Sequence, residues 1–252
     1  MPIKIKKTTS GTASNGVYIK NVNNNNTVVT SSYSILFNSS PSQYLSIPNN
    51  VAFTQNQPFT YECWFYPTAA NNSYVFAMLQ HNFLTVKYQS DSTFTVDMSY
   101  VGFPPGWVSN AITRPINNWY HVALSWDGTN GWLFVNGRIE ATFTGAGATV
   151  GDGNPLLIGQ YQGQGQATPL GYISNFRVVK GTAVYTGSFT TPTTALTAIS
   201  GTQLLTCNAA TIVDSSPNNF TITNNGSVTV ASGPSLSRTT KGPSQIRIKK
   251  VL

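Results

Sequence analysis

Apolar and polar residues alternate along most of this chain in short runs separated by Gly, Pro, Asn and Ser breaks, and the densest stretch is Trp119 to Arg138, WYHVALSWDGTNGWLFVNGR. Val122, Leu124 and Trp126 alternate with His121, Ala123 and Ser125, the two-residue period of a strand with one buried face. DGTNG then supplies turn chemistry, because Asp and Asn close local backbone hydrogen bonds and Gly accepts positive φ. GWLFVNG resumes the alternation and stops at Asn136-Gly137. The pattern predicts a hairpin at the centre of the core. Consecutive Trp-bearing strands joined by short turns fit an antiparallel sandwich, not a parallel sheet with helical crossovers.

The same rhythm runs through YSILFNSSPSQYLSIP, FTYECWFYP, SYVFAML, FLTVKYQ and TFTVDMSY before the hairpin, and through PLLIGQY, GYISNFRVVKG, QLLTCNA, FTITNNG and SVTVAS after it. About a dozen strands fit, at the spacing of a two-sheet sandwich. Trp64, Trp119, Trp126 and Trp132 fall in or beside these strands and are expected in the core. The fold class is all-β, an antiparallel two-sheet sandwich.

Both ends differ from this body. Ile3 and Ile5 alternate with Lys4 and Lys6 before Lys7, and Ile246 and Ile248 alternate with Arg247 and Lys249 before Lys250. Each reads as a short edge-type strand bordered by a polar or Gly-Pro break. The expected organisation is a basic N-terminal arm and connector over 1–30, a main domain over 31–232 and a basic C-terminal arm over 233–252. Lysines on an edge strand protect a monomer from aggregation. The same strands can also add to the sheet edge of a partner, which makes these ten residues candidate anchors, while phosphate contact is a third reading.

Charge and composition sharpen this picture. Of fourteen Lys and Arg, eight lie at the ends; between Thr8 and Ser237 six cations face seven acids, leaving the body one charge negative. The net charge of +7 therefore describes two arms, and no nucleic-acid-binding face is expected on the body. Charged residues make up 8% against the roughly 25% of average globular proteins, so the surface is rich in amides and hydroxyls. A basic n-region with an apolar h-region does not open the chain, and no run approaches the roughly 18 apolar residues that span a bilayer. The expectation is a soluble protein without a cleaved leader or membrane insertion. Cys63 and Cys207, the two cysteines, each sit in an apolar run and read as buried free thiols.

Hydrolytic chemistry finds little support. Asp91 and Asp97 would share a face if DSTFTVD were one strand, but six residues at about 3.3 Å place them roughly 20 Å apart, beyond the spacing a glycosidase pair requires. Glu62 stands alone, and Asp127, Asp152 and Asp214 fall in turns that explain them. His81 and His121 adjoin no nucleophile motif, and His121 reads as a packing residue. Asp152 and Asn154 offer too few oxygens for calcium. Neither a metal nor a cofactor is expected, and no catalytic residue is assigned. Sugar binding requires an exposed aromatic face with amides and hydroxyls at its rim. Two loops meet that requirement: VGFPPGW with Phe103 and Trp107, and GQYQGQGQ with Tyr161 among Gln162, Gln164 and neighbouring glutamines.

FNSSPSQYLSIP, FTYECWFYP, NNWYHVALSWDGTNGWLFVNG, PLLIG, GYISNFRVVKGTAVYTGSFTTPTTAL, LLTCNAATIV and, after a turn, FTITNNG, in this order, resemble the laminin-G-like, concanavalin A-like lectin/glucanase jelly roll over about 200 of the 252 residues. The RVVKGTAVYTG segment and that turn, in which Asp214, Ser215, Ser216 and Pro217 precede two asparagines, are most similar to the version found in tailed-phage virion proteins. The resemblance implies two curved antiparallel sheets used for glycan attachment or for structural decoration of a virion. The leading expectation is a non-enzymatic virion structural protein, displayed on a capsid or tail surface and held to other virion proteins through its basic ends. The alternative is a receptor-binding lectin recognising host-surface polysaccharide. A homo-oligomer would have to form through sheet edges or the ends, since no heptad repeat is present.

Overall fold

The computed structural model describes residues 33–38, 43–54, 56–78, 84–97, 107–108, 112–145, 155–161 and 169–232; the candidate anchors at both ends lie outside them. Fifteen strands follow one another among these residues. They are β1 (Ser34–Asn38), β2 (Tyr44–Ile47), β3 (Phe59–Pro67), β4 (Ser73–Met78), β5 (Leu84–Tyr88), β6 (Phe94–Asp97), β7 (Trp107–Val108) and β8 (Tyr120–Trp126). Then come β9 (Asn130–Val135), β10 (Arg138–Thr144), β11 (Leu156–Ile158), β12 (Leu170–Lys180), β13 (Thr202–Thr206), β14 (Thr223–Asn225) and β15 (Thr229–Ala231). A 3-10 turn, Val51–Phe53, lies between β2 and β3. No helix among the described residues is long and apolar enough to cross a membrane.

The strands form two antiparallel sheets. The first runs β10-β9-β8-β3-β12-β1-β15, with β13 also paired to β12; the second runs β14-β2-β11-β4-β5-β6-β7. The β8–β9 hairpin forms as the alternation predicts, but it is not central: β3 lies between β8 and β12, and β9 has only β10 beyond it. Strand β3 is organised by its pattern. Phe59, Tyr61, Cys63 and Phe65 enter the core between the sheets, while Glu62, Trp64 and Tyr66 take the opposite phase. Tyr61 and Phe176 of the first sheet meet Phe76 of the second at 5.9 and 5.3 Å between ring centres. Each such fully buried side chain contributes about 1.5–3 kcal/mol.

Two expectations need correction here. Strand β8 is buried on both faces, not one. The reason is the 181–200 segment, which lies over the outer face of the first sheet. It is tied down by Gly181 N–H to the Pro58 carbonyl, Val184 N–H to Thr60 Oγ1, Phe189 N–H to the Gly137 carbonyl and Leu196 N–H to Asn175 Oδ1. Tyr185 and Phe189 stack on each other at 3.6 Å and cover Phe134 and His121. The tryptophans also divide. Trp126 is in the core between the sheets, Trp64 and Trp119 form a separate cluster with Tyr66 and Tyr172, and Trp132 is half-buried.

Cys63 and Cys207 are buried free thiols, as their apolar settings predict. Burial pushes both up in pKa, Cys207 to about 12, which suppresses the reactive thiolate. At the edge of the first sheet β1 pairs with β15, so that Ser34 lies opposite Ala231.

Candidate functional site

On β4, β5 and β6 the residues out of phase with the core form an outer sheet face. Tyr74 lies opposite Lys87, Lys87 opposite Thr95, and Thr85 opposite Asp97. Tyr161, three residues beyond β11, returns over this face and stacks on Tyr74 at 4.8 Å and 18°. The Lys87 ammonium sits 5.2 Å from the centre of the Tyr74 ring, a cation–π distance. Burial and then the neighbouring phenol of Tyr161 and the charge of Asp97 push the Tyr74 hydroxyl up to about 12. Burial and Asp97 raise Tyr161 in the same direction, and ladder register sets Asp97 on the same sheet face, opposite Thr85. Burial lowers Lys87. Gln89 Nε2 donates to Thr95 Oγ1 at 3.0 Å, and the buried Thr85 hydroxyl has no hydrogen-bond partner among the described residues. Tyr74, Thr85 and Thr95 are buried, whereas Tyr161, Lys87, Gln89 and Asp97 are partly exposed; an aromatic ring with an ammonium, a carboxylate and an amide around it can bind a polyhydroxylated ligand.

This face holds Tyr161 and adjoins Trp107. The latter lies in β7, not in a loop, with Asp97 as its ladder partner. Phe103, Gln162 and Gln164 fall outside the described residues, as do His81, Asp152 and Asn154. Tyr74, Thr85, Lys87 and Asp97 were legible only as outward positions of their strands. Their convergence depends on ladder register, which a single sequence does not display.

A second polar cluster overturns the reading of Glu62 as solitary. Its carboxylate accepts from Arg177 Nε at 2.9 Å and Nη2 at 2.5 Å and from the Tyr185 hydroxyl at 2.9 Å, and lies 3.0 Å from His121 Nε2. Arg177 Nη1 also donates to the Thr197 carbonyl. Burial alone would raise Glu62, but the His121 contact and the Arg177 charge hold it below its ordinary value of 4.5. Tyr185 is raised, by burial first and then by Glu62. Glu62 and His121 are fully buried, so the cluster is a brace between the sheet and the 181–200 segment.

Most other carboxylates among the described residues have structural partners. Asp127 accepts from the Thr129 and Asn130 amides, and Asp214 from the Leu205, Ser216 and Phe220 amides and the Ser216 hydroxyl. Glu140 pairs with Arg114. Asp91 closes a turn onto Thr93, and β6 begins only at Phe94, so Asp91 and Asp97 do not share a strand. No cluster of three or more His, Cys, Asp or Glu that could hold a metal occurs among the described residues.

Comparison with known proteins agrees with this architecture. A candidate carbohydrate binding protein from Bacteroides ovatus superimposes with a TM-score of 0.59 at 18% identity, over 79% of this chain and 59% of that one. The present chain thus spans well under two thirds of that relative's length. A heptameric SAP-like pentraxin from Limulus polyphemus gives a TM-score of 0.46 at 20% identity, covering 59% of this chain and 76% of that one. Domains LG4-5 of the mouse laminin alpha1 chain give 0.41 at 11%, covering 62% and 44%. A search of curated proteins finds no match. The laminin G family model described as the concanavalin A-like lectin/glucanases superfamily matches residues 38–184, more than half the chain, and the protein belongs to that superfamily.

Proposed function

We propose that the protein is a non-enzymatic, lectin-like carbohydrate-binding module that takes its ligand on the outer face of the second sheet. The observation that carries this reading is the Tyr161–Tyr74 stack on the sheet face that also holds Lys87 and Asp97. Tyr161 rests on Tyr74 and is itself partly exposed, and a pyranose would pack on that exposed surface with Lys87 and Asp97 at its polar rim. The Bacteroides ovatus relative, itself a candidate carbohydrate binding protein, supports the assignment at the level of fold. Asp97 alone among the described carboxylates borders this face, whereas glycoside hydrolysis ordinarily uses two.

A glycan array followed by calorimetry tests the proposal. Tyr161→Ala is expected to weaken the best array ligand about tenfold, the scale of one aromatic contact, while moving stability by under about 1 kcal/mol. Unchanged affinity in Tyr161→Ala, or release of reducing ends from the bound polysaccharide, would count against it.

A second reading concerns where the module is displayed. The tailed-phage resemblance and the basic ends favour attachment to other virion proteins at a capsid or tail surface. The pairing of Ser34 with Ala231 supports it further, because both basic ends continue from one corner of the body. Removing residues 1–30 and 233–252 together is expected to abolish incorporation into particles, scored by electron microscopy; normal incorporation would sink this attachment scheme.

A further inference from the structure

Apart from the Tyr74–Tyr161 face lies a groove of about 420 Å³, lined by none of its residues. Lys180, in its wall, pairs with Phe59 at the first residue of β3. Residues distant in sequence meet here: Asn50 and Val51 at the 3-10 turn, Gln57 before β3, Lys180 at the end of β12, and Asn218 and Phe220 on the turn after β13.

These side chains are held with hydrogen-bonding capacity to spare. Asn50 uses its carbonyl oxygen to cap Ala52 N–H, which leaves its amide N–H groups for a ligand. Asn218 does the reverse, donating to the Gln203 carbonyl at 2.9 Å and presenting its own oxygen. No hydrogen bond from the described residues engages the Gln57 side chain, whose amide offers both donor and acceptor. Lys180 donates to the Val51 carbonyl and to Thr54 Oγ1 at 2.6 Å each, and its third N–H is left over. Asp214 fixes the far wall by accepting from Leu205, Ser216 and Phe220, which sets Phe220 against Phe53 at 5.3 Å. Val51 stands on the rim with 78% of its surface exposed.

The groove therefore combines an apolar edge, amide donors and acceptors of both senses, and one cation with no acid among its lining residues. Its volume falls in the lower part of the range of small-molecule sites. We propose that it is a second sugar subsite, specific for a residue bearing a carboxylate, with Lys180 facing the carboxylate, Asn50, Gln57 and Asn218 facing the hydroxyls, and Phe220 and Val51 facing the ring. The proposal rests on the carbohydrate-binding reading but shares no residue with the Tyr161 platform. Its residues give little signal in the sequence, because the 214–219 segment and Val51–Phe53 look like ordinary turns.

The test is an NMR titration of the full chain with methyl glucuronide, methyl glucoside and sodium acetate. Methyl glucuronide is expected to shift the Gln57, Asn218 and Phe220 signals in a saturable manner and to bind about tenfold more tightly than methyl glucoside, the scale of one charge-assisted hydrogen bond. Lys180→Met should erase that preference. Because Lys180 also ties the Val51 turn, Gln57→Ala serves as a second variant whose side chain has no internal bond to lose, and it should weaken both sugars. Equal binding of the two sugars, the same shifts with acetate alone, or shifts that survive both variants would overturn the proposal. Shifts abolished by Tyr161→Ala would overturn it too, by assigning the ligand to the platform. Groove shifts that persist when the array shows no ligand for the platform would leave the subsite standing and remove only the function proposed above.

Discussion

Glu62→Gln is expected to lower the unfolding free energy by about 3–5 kcal/mol, because it leaves the Arg177 guanidinium buried without its charged partner. The loss extends beyond one ion pair. Glu62 receives Arg177 of β12 and Tyr185 of the 181–200 segment and contacts His121 of β8, so its removal loosens the cover over the outer face of the first sheet. For a body of this size the change corresponds to roughly 10 °C in Tm. Removing both charges with Glu62→Leu and Arg177→Met together should cost less than Glu62→Gln alone.

The pH dependence follows from the direction of the Glu62 shift. Its carboxyl is depressed in the folded state, so its contribution is fully present above the ordinary value of 4.5 and is lost as pH falls through the lower folded value. The stability difference between the parent and Glu62→Gln should therefore narrow as pH falls below that ordinary value. Urea unfolding at a series of pH values measures both quantities; a difference under about 1 kcal/mol at neutral pH, or one that widens on acidification, would contradict the brace.

Gly171→Ala should be comparably damaging, by about 4 kcal/mol, through a different mechanism. Gly171 lies in β12 at φ +138°, with Phe37 of β1 on one side and Pro67 of β3 on the other. A Cβ there would fall inside van der Waals contact of the Tyr66 carbonyl oxygen, which is backbone and cannot rotate away. Gly181 is the internal control. It also has positive φ, at +88°, but a Cβ there meets nothing within 4 Å. Gly181→Ala should cost only the left-handed strain of about 1–2 kcal/mol. Equal destabilisation of the two variants would show that the clash with Tyr66 is not what makes glycine necessary at 171.

The parts of this structure that the sequence displays are those in which neighbouring residues determine one another. Alternation located the strands around Tyr61, Val122 and Leu133, and turn residues located the break at Asn136-Gly137. The placement of strands in the sheet was less visible. The hairpin looked central because its pattern was the strongest, yet the position between neighbours fell to β3, whose outward phase carries the polar Thr60 and Glu62. Those polar residues are buried because Tyr185 and Val184, more than 120 residues later, come to bond with them. The 181–200 segment that supplies this cover has no periodicity of its own to announce it. At the candidate site Tyr161 could be singled out as an aromatic among amides, while Tyr74, Lys87 and Asp97 became candidates only once the β4–β5–β6 register placed them on one face.

The pairing of Ser34 with Ala231, supported by the Ser34 hydroxyl donating to the Ala231 carbonyl at 3.3 Å, makes the body a cassette. A unit whose first and last described strands are partners can be spliced into a surface loop of an unrelated host without stretching either junction, and its order can be permuted by joining those strands and opening the chain elsewhere. The Asp127–Asn130 turn between β8 and β9 is the natural place to reopen it, since it is exposed and held by its own Asp127 side chain.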